Sequence, residues 1–173
     1  IITGLNTGGA EKMLTKLVCA TDQQYFETIV VSLTDNGTLG ESIKACNVQV
    51  YSIGMAKSWA SVAGLIRLAQ LIRRLQPDLI MGWMYHANIA AFIARTLSAR
   101  KIPLLWNIRH TPYNMSSEKK LTSLLIRLSG WLSFIPLCVV YNSYVSLGRH
   151  EKLRFRKANS QVIPNGFDTD IFK

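Results

Sequence analysis

Acidic side chains are scarce in this chain: 10 Asp and Glu stand against 20 Lys and Arg over 173 residues, a net charge of +10. An excess of that sign suits nucleic acid, an anionic membrane surface or a phosphorylated substrate, or it does no more than keep a domain soluble. Cysteine is scarce too. Cys19, Cys46 and Cys138 are odd in number and far apart. They fit no metal spacing and no disulfide framework, so the expected setting is a reducing cytosol. No signal-peptide pattern is visible. The longest apolar stretch, Leu121–Tyr141, contains Arg127 and is interrupted by Gly130 and Pro136. It reads as a helix followed by a buried strand and not as a membrane span. Charged residues make up 17% and hydrophobic ones 49%, a balance that excludes disorder.

What is present alternates. Ile1–Thr3 reads as a strand stub. Helices are expected over Ala10–Ala20, Leu39–Cys46, Ser58–Leu75, His86–Ala99, Ser117–Leu132 and Ser143–Lys152, where apolar residues recur at helical spacing. Strands are expected over Glu27–Leu33, Val48–Ile53, Leu79–Trp83, Pro103–Ile108, Leu137–Tyr141 and Gln161–Ile163. Gln76-Pro77 stops the longest helix, because proline clashes with a continued turn. Apolar strands alternating with helices predict an α/β, Rossmann-like three-layer domain with a mostly parallel sheet of about seven strands. In such sheets ligands bind beyond the carboxyl ends of the strands, so the loops there are the candidates for function.

The first of these is Gly4-Leu5-Asn6-Thr7-Gly8-Gly9. Its glycines allow backbone N–H groups to approach a phosphate at a positive helix end, or simply make a tight turn. It is neither G-x-G-x-x-G nor a P-loop. Glu11 favours the helix dipole from the first turn. The loop after the fifth strand carries Arg109, His110, Thr111, Tyr113 and Asn114. His110 can move a proton near neutral pH, and Arg109 can clamp a phosphate or carboxylate; a capped loop with a hydrogen-bonded histidine is the plainer reading. Trp83-Met84-Tyr85-His86-Ala87-Asn88 is similar in kind, although His86 also suits a helix start. Lys119, Lys120 and Arg127 flank an apolar face of Leu121, Leu124, Leu125, Leu128 and Trp131. That face fits either anionic lipid or an ordinary core.

Four stretches carry a resemblance: Gly8-Gly9-Ala10-Glu11; Pro77-Asp78-Leu79-Ile80 with Met84-Tyr85-His86-Ala87-Asn88; Asn107-Ile108-Arg109-His110-Thr111; and Val162-Ile163-Pro164-Asn165-Gly166-Phe167-Asp168 onward. Together they resemble the N-terminal domain of the family 4 retaining glycosyltransferases of GT-B fold. The resemblance implies that residues 1–163 are the acceptor-side domain. Residues 164–173 then start an interdomain linker (Asn165, Gly166, Asp168), and a nucleotide-sugar-binding domain lies beyond it. It also implies no metal or other cofactor, with a UDP- or GDP-sugar as co-substrate. The Gly8-Gly9 loop would face the donor diphosphate. His110, with Arg109, would stand beside the transferred sugar. Glu11, Tyr85, His86, Asn88, Thr111 and Tyr113 would face a sugar or lipid-linked acceptor. The expected place is the cytoplasmic face of a membrane, met through Lys119, Lys120 and Arg127. Two alternatives stand beside it: a sugar-nucleotide epimerase of the same shape, and a basic binding module without catalysis. Nucleic acid is not an expected partner, because few aromatics interleave the basic residues at Arg149–Lys157.

Overall fold

The computed structural model describes residues 1–55 and 61–166. Within them the chain runs α1 (Gly9–Ala20), β1 (Ile29–Ser32), α2 (Gly40–Lys44), β2 (Gln49–Ser52), α3 (Val62–Leu75) and β3 (Ile80–Trp83). It continues through α4 (Met84–Leu97), β4 (Leu104–Ile108), α5 (Lys120–Leu132), β5 (Cys138–Tyr141), α6 (Tyr144–Glu151) and β6 (Ser160–Val162). All strand pairs are parallel, in two sheets ordered β1-β2 and β3-β4-β5-β6. Ile2 bridges both, pairing with Ser32 on one side and Trp83 on the other. The expected stub Ile1–Thr3 is thus a bridge rather than a strand, and it joins six strands where about seven were expected.

Adjacent residues of β1 separate the two faces of the sheet, as the period of two requires. Val31 belongs to the hydrophobic cluster that holds Leu68, Ile72, Ala90 and Leu125 of α3, α4 and α5, while Val30 belongs to the one that holds Leu14, Val18 and Ile43 of α1 and α2. The fold is therefore a helix–sheet–helix sandwich, an α/β Rossmann-like domain. The α3 helix opens with Ser61 accepting a hydrogen bond from the Gly64 N–H and closes at a left-handed Gln76 before Pro77. Ser58, the expected start of that helix, lies outside the described residues.

Three expectations are corrected. The α4 helix begins at Met84, directly after β3, and not at His86. The cause is a tight elbow: Met84 adopts φ +72°, and Gly82 lies so close to Asn88 that a Cβ there would stand 2.7 Å from the Asn88 Cα. The α5 helix starts at Lys120 rather than Ser117. Asn114 Oδ1 accepts from the Ser116 N–H and hydroxyl, and the Ser117 hydroxyl donates to the Asn114 carbonyl. That local turn competes with helix, as short polar side chains do. Finally, Cys19 and Cys46 are joined in a disulfide, with Cα atoms 5.3 Å apart. The end of α1 and the turn just after α2 meet in space across a sequence separation of 27, a proximity that spacing alone does not reveal. The pair removes the cysteine argument for a reducing setting. No helix among the described residues is long and apolar enough to cross a membrane.

Candidate functional site

The register lines up the carboxyl ends of the strands. Trp83 stands opposite Asn107, Ile108 opposite Tyr141, and Tyr141 opposite Val162. The residues just beyond therefore converge. Arg109 shows how closely. Its Nε donates to Asn107 Oδ1 at 2.9 Å, and its Nη1 donates to Asn165 Oδ1 at 2.6 Å and to the Ile163 carbonyl at 3.3 Å. The guanidinium also lies over the Trp83 ring, 5.4 Å from its centroid, and burial lowers its pKa. Trp83 in turn donates its indole N–H to the Ala10 carbonyl at 3.1 Å. One chain of contacts thus runs from the first turn of α1 to the start of the segment that follows β6. Arg109 is engaged by the protein itself.

The glycine loop ends at Gly8, the extended N-cap residue of α1, which has no side-chain cap. Lys12 N–H donates to the Gly8 carbonyl at 3.0 Å, and the preceding N–H groups have no partner within the helix. A Cβ on Gly9 would meet nothing within 4 Å, whereas one on Gly8 would strike the Glu11 carboxylate. Gly9 therefore borders open space, and Glu11 folds back over Gly8.

His110 is held at three points. Its Nε2 is 2.8 Å from Glu118 Oε1, its carbonyl accepts from the Ser146 hydroxyl at 2.8 Å, and its ring meets Tyr85 edge-on at 6.1 Å. The histidine side chain is 36% exposed and the glutamate 18%, so the pair is at the rim of the sheet end, within reach of a ligand.

The expected acceptor contacts divide. Tyr85 is 1% exposed and Asn88 0%. The Tyr85 hydroxyl bonds His150 Nε2 at 2.6 Å, and burial pushes its phenol pKa up. With Nδ2 turned toward the backbone, Asn88 donates to the Gly82 carbonyl at 2.8 Å and to Met84 at 3.3 Å. Both side chains have interior partners and hold the elbow, rather than standing at the surface. His86 is half-buried, and burial lowers its pKa. Thr111 is half-buried near His110, and Tyr113 is exposed under the Arg149 guanidinium at 5.7 Å. Asn165 is bound by Arg109, Gly166 is exposed, and Asp168 lies outside the described residues. Lys119, Lys120 and Arg127 are exposed beside Leu121, Leu124 and Trp131.

Sequence reasoning missed Glu118 and the buried His150. Glu118 reads as a helix-start residue beside two lysines. Only the four-residue spacing of Ser146 and His150 on α6 hinted that this pair shares a face. Among the described residues no group of three His, Cys, Asp or Glu is placed to hold a metal ion.

Comparison with known proteins bears on this geometry. The family model described as Glycosyltransferase Family 4 matches residues 7–171. Among curated proteins none matches the chain. Among solved structures, Anabaena Alr3699/HepE in complex with UDP and glucose superposes with a TM-score of 0.75 at 19% identity, over 99% of this chain and 45% of that one. The lipopolysaccharide outer core galactosyltransferase WaaB, in its apo form, gives 0.67 at 11% over 96% and 45%. A UDP-N-acetylglucosamine 2-epimerase gives 0.60 at 15% over 95% and 47%. The chain thus spans a little under half the length of these structures.

Proposed function

We propose, from the premise that this chain belongs to glycosyltransferase family 4, that it is the acceptor-side half of a two-domain enzyme. The enzyme transfers a sugar from a nucleotide-sugar, with retention, to a polysaccharide, lipopolysaccharide or lipid-linked acceptor. The observation that carries the reading is the convergence at one sheet end of an uncapped α1 N-terminus at Gly8-Gly9 and a histidine, His110, held by a carboxylate. Backbone N–H groups at a helix start suit the charge that develops on a leaving diphosphate. In this reading a hydroxyl of the bound sugar meets His110. HepE has been solved with UDP-glucose, which supports a UDP-sugar over a GDP-sugar as donor. The exposed apolar and basic face of α5 supports a peripheral position on the cytoplasmic membrane face. The second domain supplies most donor contacts in this reading, so the 173-residue chain alone should not turn over.

The test is nucleotide release by the full-length protein from a panel of UDP- and GDP-sugars, with and without His110→Ala. Release from one donor, lost in the variant while folding is kept, supports the reading. Release from no donor sinks it. Conversion of a UDP-sugar to its epimer without an acceptor moves the assignment to the epimerase of the same shape.

A further inference from the structure

The contacts around His110 form a closed ring. The His110 carbonyl accepts from the Ser146 hydroxyl at 2.8 Å, the Ser146 carbonyl is 2.7 Å from His150 Nδ1, His150 Nε2 is 2.6 Å from the Tyr85 hydroxyl, and the Tyr85 ring returns to the His110 ring. A carbonyl only accepts, so the proton of His150 is on Nδ1. The neutral buried ring then accepts at Nε2 from the Tyr85 hydroxyl. Tyr85, Ser146 and His150 are all buried. The backbone of His110 is therefore fixed from beneath by α4 and α6.

The ring of His110 is fixed from elsewhere. Glu118 precedes α5 and is followed by Lys119 and Lys120, yet its bonded partner is a histidine eight residues back. The Asn114 turn described above aims it there. An ionised carboxylate only accepts, so His110 donates its Nε2 proton, and whenever the ring is neutral its lone pair is on Nδ1. Nδ1 makes no hydrogen bond to any described residue.

We infer that Glu118 is a positioning residue, which holds the His110 proton on Nε2 and leaves Nδ1 as the nitrogen that accepts a hydrogen bond from a sugar hydroxyl. The inference rests on the proposed sugar transfer and says which atom of His110 serves it. A histidine that contacts substrate through one nitrogen depends on the partner of the other for its tautomer and angle.

The experiment uses the full-length enzyme labelled with 15N-histidine. In the wild type a protected imidazole N–H of His110 is expected on Nε2, and a neutral ring with its proton on Nδ1 overturns the inference without any variant. Glu118→Ala should lose that signal and lower kcat by about tenfold, the loss of one positioning hydrogen bond, with the donor KM within about threefold. Glu118→Gln, which keeps an accepting oxygen, should restore most of the turnover. Wild-type turnover in Glu118→Ala, with His110→Ala inactive, overturns the role of Glu118 alone. Wild-type turnover in both variants overturns the assignment of His110, and with it the proposed reading.

Discussion

The Arg109 guanidinium and the Asn165 side chain are joined by a 2.6 Å hydrogen bond, across 56 positions of sequence. The Nε of the same group donates to Asn107, Nη1 also meets the Ile163 carbonyl, and the Trp83 ring lies against its face. The residue expected to clamp a substrate therefore also ties β4 to the segment after β6. Lysine cannot reproduce the fork. Arg109→Lys should therefore cost about 1–2 kcal/mol and speed hydrogen exchange at residues 163–166. Exchange there at the wild-type rate would show the tether to be idle.

Gly9 and Gly82 make a paired test. A methyl on Gly9 enters open space, so Gly9→Ala should change stability by less than about 0.5 kcal/mol while lowering donor turnover in the full-length enzyme. A methyl on Gly82 meets the Asn88 backbone, which cannot swing aside. Gly82→Ala should cost about 1–3 kcal/mol. Urea midpoints check both, and equal midpoints for the two variants would contradict the elbow as described.

His150 gives the fold a sensitivity to acid. Burial is the main cause that lowers its pKa from 6.5 to about 4; the Ser146 carbonyl opposes this and nearby His110 adds to it. Between those values the unfolded chain binds a proton that the folded one refuses. This ring's contribution is thus complete above pH 6.5 and is lost as the pH falls, by up to about 1.4 kcal/mol per unit. Urea midpoints at several pH values, compared with His150→Gln, isolate it. An identical slope in the variant would assign the acid sensitivity elsewhere.

The α5 face should bind anionic vesicles. Trp131 is 67% exposed, and Leu121, Leu124, Phe134 and Leu137 are exposed with it. Replacing Lys119 and Lys120 by Gln removes roughly 1 kcal/mol each near a charged bilayer, or about thirtyfold in partition for the pair. Co-sedimentation with phosphatidylglycerol vesicles reads this directly. Unchanged partition would leave the face without a lipid role.

The helices and strands were legible where the period was long and the stop signal was chemical, as in α3, which ends at Gln76 before Pro77. The division of Leu121–Tyr141 into helix and strand was legible from Pro136, whereas Gly130, read as an interruption, lies within α5 against the Leu153 backbone. The elbow at Met84 was not, because it depends on a glycine and an asparagine approaching across six residues, which no propensity encodes. The placement of the glycine loop and His110 beyond strand ends was legible from the strand–helix alternation. Glu118 was not, since a carboxylate between a serine and two lysines gives no sign of which partner it takes. Tyr85 and Asn88 looked like surface contacts because polarity in a sequence does not report burial.

The Cys19–Cys46 bond has a consequence for any chain that is cut. It encloses the end of α1, all of β1 and all of α2. A single protease cut between the two cysteines leaves both products covalently attached, and the nicked protein migrates as one species until a reductant is added. The helix that carries the glycine loop then stays moored to its neighbour even where the backbone between them is severed. In a compartment that keeps thiols reduced, the same cut releases it.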